Sequence, residues 1–264
     1  MGVVYMLWLR QIKRYFRSRA RIVGSLGQPL LFLLSLGFGF GPVFQLAGQG
    51  NYIQFLAPGV IAMTVLFSGI FNGIELIWDR QFGFLKETLV APVPRVTIMI
   101  GRTLGGATTS VMQGLIVALA CLIVGFRPNS MMAIVGGLVY MTLIAVMFTA
   151  LGTAIASVLS DFQGFQMVMN FLMMPLFFLS GALFPLKGLP AWMDVLTHLD
   201  PMAYGVDPVR KVILGGSGVP TRVTDSLGLS LAGQPIPILG EAALVLAFGL
   251  VMLTVAIISF RARD

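Results

Sequence analysis

The charged residues of this chain fall in clusters, and the intervals between them are long and apolar. From Ile22 to Ile74 there are 53 residues without Asp, Glu, Lys or Arg; further uncharged runs cover Thr103–Phe126 (24 residues), Pro128–Ser160 (33), Phe162–Leu186 (25) and Ala242–Phe260 (19). A helix needs about 20 apolar residues to cross a ~30 Å hydrocarbon core. Each shorter run holds one span. The first holds two, separated by helix breakers from Gly41-Pro42 through Gly48-Gln49-Gly50-Asn51. The pattern predicts six membrane-spanning helices, at about 22–41, 53–77, 99–124, 131–158, 164–185 and 238–260.

Three segments break this rhythm. In the first, Tyr5, Trp8, Leu9, Ile12, Tyr15 and Phe16 recur at helical spacing, with Arg10, Lys13, Arg14, Arg17 and Arg21 opposite. Such a basic amphipathic helix, residues 1–21, is expected to lie in the inner membrane interface, rings toward acyl chains and cations toward headgroups. Tyr5, Trp8, Arg10, Lys13, Arg14 and Arg17 are then its anchors; a sharper reading adds a docking surface for a cytoplasmic partner. The second segment is Trp78 to Arg95, WDRQFGFLKETLVAPVPR. Phe84, Leu85, Leu89 and Val90 make the apolar side of a short helix along the membrane, Lys86 and Glu87 face water, and Pro92 and Pro94 stop it. A plain connection needs far fewer residues. The third runs from Pro185 to Pro237, where Pro and Gly divide the chain into short apolar pieces: one carries Trp192, Val195, Leu196 and Leu199, another runs from Met202 to Leu214. Too short to span and too apolar for water, these pieces dip into the outer leaflet or cap the bundle. Residues 215–237 read as a polar loop.

Composition agrees with a membrane protein and narrows its chemistry. Hydrophobic residues make up 57% and charged residues 10%, against about 25% charged in soluble domains. No water-facing shell can be assembled from that. One histidine and one cysteine exclude a disulfide scaffold and a four-ligand zinc site within one chain. Twelve of the seventeen Lys and Arg residues fall on the side that carries both termini, which places the termini in the cytoplasm. The net charge of +7 is juxtamembrane and suits anionic lipid better than nucleic acid. The basic N-terminal segment, with no A-x-A-like site after it, argues against a signal peptide.

Acids within spans mark ion pathways. Glu75, Asp161 and Glu241 all stand at span ends, where each is expected to reach an interface, so a proton-coupled carrier lacks its mid-bilayer acid. No G-x-x-x-x-G-K-[ST] phosphate loop is present, and no nucleophile, base and orienting partner form a set. His198 reads as interfacial and Cys121 as a small buried residue. Gly37-x-x-x-Gly41, Gly69-x-x-x-Gly73 and Gly101-x-x-x-Gly105 permit close helix packing. Tyr140, inside the fourth span, needs a hydrogen-bond partner in the bundle or lines a substrate path.

One resemblance gathers these pieces. The stretch Asp79-Arg80-Gln81-Phe82-Gly83-Phe84-Leu85-Lys86-Glu87-Thr88-Leu89, then Ala91-Pro92-Val93-Pro94-Arg95 and Ile100-Gly101-Arg102, resembles the linker of ABC-2 type transporter permeases. Leu179-Ser180-Gly181-Ala182-Leu183-Phe184-Pro185-Leu186, with Leu189-Pro190, Trp192, Leu199, Pro201 and Tyr204 to Arg210, is similar to that family's fifth span and outer gate; Phe55-Leu56-Ala57-Pro58-Gly59 is similar to its second-span entry. The nearest likeness is to daunorubicin-resistance and nodulation-type exporters. Gln81 stands where the family usually carries glutamate, and Lys86 lies beside a usual acid.

The resemblance implies an all-α membrane protein, residues 1–264 as a single transmembrane domain. Its parts would be six spans, an interfacial N-terminal helix, a cytoplasmic coupling helix within 78–97 and short re-entrant helices in an extracytoplasmic gate and loop at 186–237. It implies a non-catalytic permease subunit of an ATP-driven exporter in a prokaryotic plasma or inner membrane. The substrate would be hydrophobic or amphiphilic, of drug, lipid or glycan type. No cofactor is expected in this chain, since ATP and Mg²⁺ would belong to a separate ATPase present in two copies, and a second permease copy completes the assembly. Coupling would pass through Asp79, Arg80, Gln81, Phe82, Gly83, Phe84, Leu85, Lys86, Glu87, Pro92 and Arg95. Phe184, Pro185, Leu189, Pro190, Trp192, Pro201 and Tyr204 would form the gate. An ATP-independent carrier and a membrane scaffold are the rivals.

Overall fold

A computed structural model describes residues 2–46, 52–90, 92–128, 130–184, 186, 190–214, 229–231 and 234–263. The chain runs through α1 (Gly2–Arg17), α2 (Arg19–Leu46), α3 (Tyr52–Asn72), α4 (Ile74–Gln81), α5 (Phe84–Val90), α6 (Arg95–Val124), α7 (Met131–Val158), α8 (Phe162–Leu179), α9 (Ala191–Leu199), α10 (Ala203–Leu214) and α11 (Ile238–Arg263). A two-residue antiparallel ladder pairs β1 (Ser230–Leu231) with β2 (Gln234–Pro235). Six stretches are long and apolar enough to cross a membrane: Ile22–Val43, Tyr52–Gln81, Arg95–Val124, Met131–Val158, Phe162–Leu179 and Ile238–Phe260. The protein is all-α with six candidate spans, as the charge intervals predict.

Local chemistry sets the element ends. Ser130 caps α7 by accepting from the Ala133 N–H at 3.1 Å, and Asp161 caps α8 by accepting from Gly164 at 2.6 Å, each satisfying an amide that the first turn leaves unpaired. Pro94 precedes α6, and Gly125, at φ +115°, ends it. Two boundaries differ from expectation. The fifth helix stops at Leu179 rather than 185, because the chain turns at Gly181, whose φ of +71° lies where L side chains rarely fit. The second span breaks at Gly73 into α3 and α4.

Helix α3 is the axis of the bundle. It packs against α7, α6, α2 and α10, while α7 also lies along α11. Glycine makes the central crossing a backbone contact: a Cβ on Gly73 would run into the Gly152 carbonyl, and one on Gly152 into the Ile70 carbonyl. Such an approach is how helices gain dispersion contact where lipid supplies no hydrophobic drive between them. Gly69 and Gly101–Gly105 are close contacts too, as their spacing suggested; Gly41 meets nothing within 4 Å. Cys121 is fully buried, and the Tyr140 hydroxyl donates to the Ile238 carbonyl at 2.8 Å, so a bundle partner satisfies it. The bundle has two distinct ends. The near end carries α1, α4, α5 and the α7–α8 turn; the far end carries α9 and α10.

Candidate functional site

At the near end the side chains of α4 divide among three neighbours. Asp79 points to α1 and α6: Arg10 donates to both its carboxylate oxygens at 2.6 Å, and Arg102 of α6 donates to Oδ2. One turn earlier, Glu75 lies 3.7 Å from Arg14, which also lies 3.7 Å from Asp79. Trp78 points to α8 and stacks on Phe162, ring centres 6.1 Å apart and planes within 4°, with the Arg14 guanidinium 5.5 Å from the Trp78 ring centre. Arg80 points to α7, donating to the Leu159 carbonyl at 3.0 Å and to Ser157 at 3.4 Å. Those carbonyls end α7 and attract a cation.

Burial makes the cluster binding rather than decorative. Glu75 is 2%, Asp79 5% and Arg102 5% exposed. A carboxylate withdrawn that far from water is tolerable only with cations and hydrogen bonds around it. Helix α1 supplies two of those cations, which explains its position. It lies lengthwise on α6, where a Cβ on Gly105 would meet Gln11 Cγ at 2.6 Å. Trp8 donates to Thr108 at 3.0 Å and Tyr15 to Gln113 Oε1 at 2.5 Å.

Gly83 then turns the chain into α5 with φ +82°, a conformation that costs other residues roughly 1–2 kcal/mol. On α5, Leu85 is buried against the bundle while Phe84 stands out under the Arg10 cation, 4.9 Å from the ring centre.

The far end holds a second buried ionic group. Lys211 of α10 lies 3.0 Å from Asp207 and 2.8 Å from Glu241, the latter in the first turn of α11. Burial pulls the Lys211 ammonium down, but the two acids outweigh it and leave it raised. Arg210 donates to the Gly181 carbonyl at 2.7 Å and sits 3.9 Å over the Phe55 ring; burial brings it down to about 10, against the opposing pull of Asp207. Asp200, between α9 and α10, accepts from the Met202 N–H at 2.8 Å, yet burial pushes it up to about 8. Among the described residues no group of three or more His, Cys, Asp or Glu converges on a metal position.

Residues 3–214 match the model of the ABC-2 type transporter family. The chain belongs to that family. The inner membrane transport permease YadH of Escherichia coli is 28% identical over 221 residues, covering 83% of this chain and 85% of that protein. Nodulation protein J of Sinorhizobium fredii is 26% identical over 223 residues, 83% of this chain and 84% of its own. A permease-named protein, ycf38 of Pyropia yezoensis, is 30% identical over 208 residues, 76% and 70% respectively.

In this ABC-2 permease the residues expected to couple do not all face one way. Asp79 and Leu85 turn inward, Arg80 reaches α7, and Gln81, Phe82, Phe84, Glu87 and Pro92 are exposed, with Arg95 opening α6. The side chain of Lys86 lies outside the described residues. Of the expected interface anchors, Lys13, Arg17 and Tyr5 are exposed. Arg10 and Arg14, also expected as anchors or on the basic face, reach Asp79 at 2.6 Å and Glu75 at 3.7 Å. Tyr15 and Trp8 likewise pack on α6. Glu75 and Glu241, expected to reach an interface, instead face the interior, 2% and 0% exposed, each beside its cation.

Among the expected gate residues, Trp192 and Pro190 are exposed at α9, Tyr204 donates to the His198 carbonyl at 2.9 Å, and Phe184 and Pro201 are half-buried. Pro185 and Leu189 lie outside the described residues. Sequence reading gave no site role to Arg102, Asp200 or Asp207 and did not foresee the Glu75–Arg14 pairing. One signal was available: Arg10/Arg14 and Glu75/Asp79 are both spaced four apart, so each pair lines one helix face.

Proposed function

We propose that this ABC-2 permease is the membrane subunit of an ATP-driven exporter whose near end is cytoplasmic and whose α4–α5 segment seats on a separate ATPase. The observation that carries the reading is the contrast along the segment. Leu85 is 2% exposed and pins α5, while Phe82, Phe84 and Val90 stand out at 79%, 53% and 86%. Apolar side chains held out on a short helix, rooted through Asp79 in the bundle, suit a groove on a soluble partner. Family membership supports an ABC ATPase as that partner, with ATP and Mg²⁺ bound there. The whole chain then works as one transmembrane domain of a prokaryotic cell membrane. Paired with a second permease copy, it would pass a hydrophobic or amphiphilic molecule outward beneath a gate made from α9 and α10.

A proton-driven carrier fits less well. The buried acids Glu75, Asp79, Asp207 and Glu241 each have an arginine or lysine within 3.7 Å, so each is engaged in an ion pair within the bundle. The test is co-expression with the ATPase. Phe84→Asp is expected to lower recovery of the complex and its ATPase activity by about tenfold or more, as loss of an interface anchor does. Normal assembly and turnover in that variant would remove α5 from the docking role.

A further inference from the structure

At the far end Lys211 of α10 sits between two carboxylates, and its donors can be counted. An ammonium has three N–H groups. They point to Asp207 Oδ2 at 3.0 Å, Glu241 Oε1 at 2.8 Å and the Ile236 carbonyl at 3.1 Å, so none is left. Asp207 Oδ2 also accepts from the Leu229 N–H at 2.8 Å. The other oxygen of each acid, Asp207 Oδ1 and Glu241 Oε2, is buried with no hydrogen-bond partner among the described residues. Two such acceptors shut away from water are costly. The two carboxyl groups lie within hydrogen-bonding reach of each other.

The neighbouring elements have their own donors committed. Helix α10 packs on α3, α7 and α11, and α11 packs on α6 and α7 as well. From α7, the Tyr140 hydroxyl donates to the Ile238 carbonyl; from α3, the Tyr52 hydroxyl donates to the Leu183 carbonyl at 2.9 Å. On α10, Tyr204 donates to the His198 carbonyl, and Arg210, which feels the charge of Asp207, gives its hydrogen bonds to the Gly181 and Ala182 carbonyls. The charges of α6, Arg95 and Arg102, belong to the other end of the bundle. Among the described residues no third acid supports a metal ion here, and a metal cation would face the ammonium directly. A proton needs neither space nor further ligands, and two carboxyl groups sharing a site hold one between them.

We propose that one proton bridges Asp207 Oδ1 and Glu241 Oε2 and latches α10 to α11, so that alkaline pH frees α10. On opening, the proton passes to water and leaves two anions against one ammonium. Lys211, raised by the same two acids, stays charged throughout. Opening releases a proton that the closed state holds, so rising pH favours the open state. The inference deepens the gate reading of α9 and α10 and rests on it for its consequence, an outer face that opens more readily in alkali.

The test uses the full chain in lipid nanodiscs without ATPase. Cys121→Ala removes the native thiol, and Asp200→Asn removes a second group that titrates on its own account. In that background, Ala203→Cys, at a fully buried position of α10, reports opening by its reaction with an uncharged maleimide. Trp192→Cys, at an exposed position of α9, corrects for ionisation of the thiol itself. Corrected labelling of Ala203→Cys should be slow at neutral pH and rise in alkali by up to about tenfold per pH unit, the slope of one released proton. Adding Glu241→Gln keeps an acceptor for Lys211, offers Asp207 a fixed N–H and should hold the site protected at every pH. Equal protection of the parent at every pH, or a rise in Glu241→Gln parallel to the parent, would overturn the latch. Infrared spectroscopy covers a Glu241→Gln chain that does not fold. The Asp200→Asn chain should show a protonated-carboxyl stretch at neutral pH that fades in step with labelling, and absence of that band would remove the bridging proton. Failed coupling to an ATPase leaves these outcomes unchanged, so the two readings fail separately.

Discussion

Asp79 is where the near end converges, and its environment sets what a single atom change does. Asp79→Asn keeps the shape but leaves Arg102, 5% exposed, and the Arg10 side chain facing a neutral amide. Removing one partner from a buried ion cluster costs about 3 kcal/mol. The thermal midpoint of the purified permease should fall clearly, whereas Glu87→Gln, at an exposed position, should stay within about 0.5 kcal/mol. Equal midpoints would strip Asp79 of its anchoring role. Asp200 makes the opposite prediction for pH. Its carboxyl, pushed from 3.8 to about 8 chiefly by burial, binds its proton more tightly folded than unfolded. Stability is therefore full at low pH and is lost as pH climbs from the ordinary carboxylate range through about 8. A melting series across that window should decline, and Asp200→Asn should flatten it. Sequence showed both acids but not their fates. Asp79 and Asp200 look alike in a hydropathy trace, and what separates them is the arginines brought to Asp79, where none of the described residues brings one to Asp200.

At the scale of elements, α1 is the instructive case. Its two faces were legible from periodicity, yet a basic amphipathic face can meet headgroups or buried acids, and periodicity does not choose. Gly101 and Gly105 choose, because they let α1 lie lengthwise on α6. Gly105→Leu should push α1 off that surface. A cysteine placed at Trp8, half-buried in the parent, should then react faster with a soluble maleimide; unchanged labelling would count against the packing described. The break at Gly73 was hidden for a related reason. A glycine inside an apolar run reads as continued span, and only its contact with the Gly152 carbonyl reveals why the helix is interrupted there. The caps at Ser130 and Asp161, by contrast, stand close to the charges, Arg127 and Asp161 itself, that interrupt the uncharged runs.

At the scale of the whole molecule, the number of spans was the most legible feature, because desolvating charge is costly enough to confine Lys, Arg, Asp and Glu to a few places. Which spans would face inward was not. Helix α3 is largely buried, whereas α2, α8 and α11 leave Phe38, Phe171 and Leu250 at 65%, 81% and 63% exposure, although all read as apolar spans. The cavity between α2, α3 and α8 was illegible too, since its walls gather residues from helices far apart in the sequence. Arg80 adds a mechanical corollary. By gripping the carbonyls that finish α7, immediately before the Asp161 cap that starts α8, it rivets the short helix to a hairpin of two long ones. A torque applied beneath the bundle would thus be geared into both arms of that hairpin at once, and the aromatic stack at Phe162 would ride on the same gear.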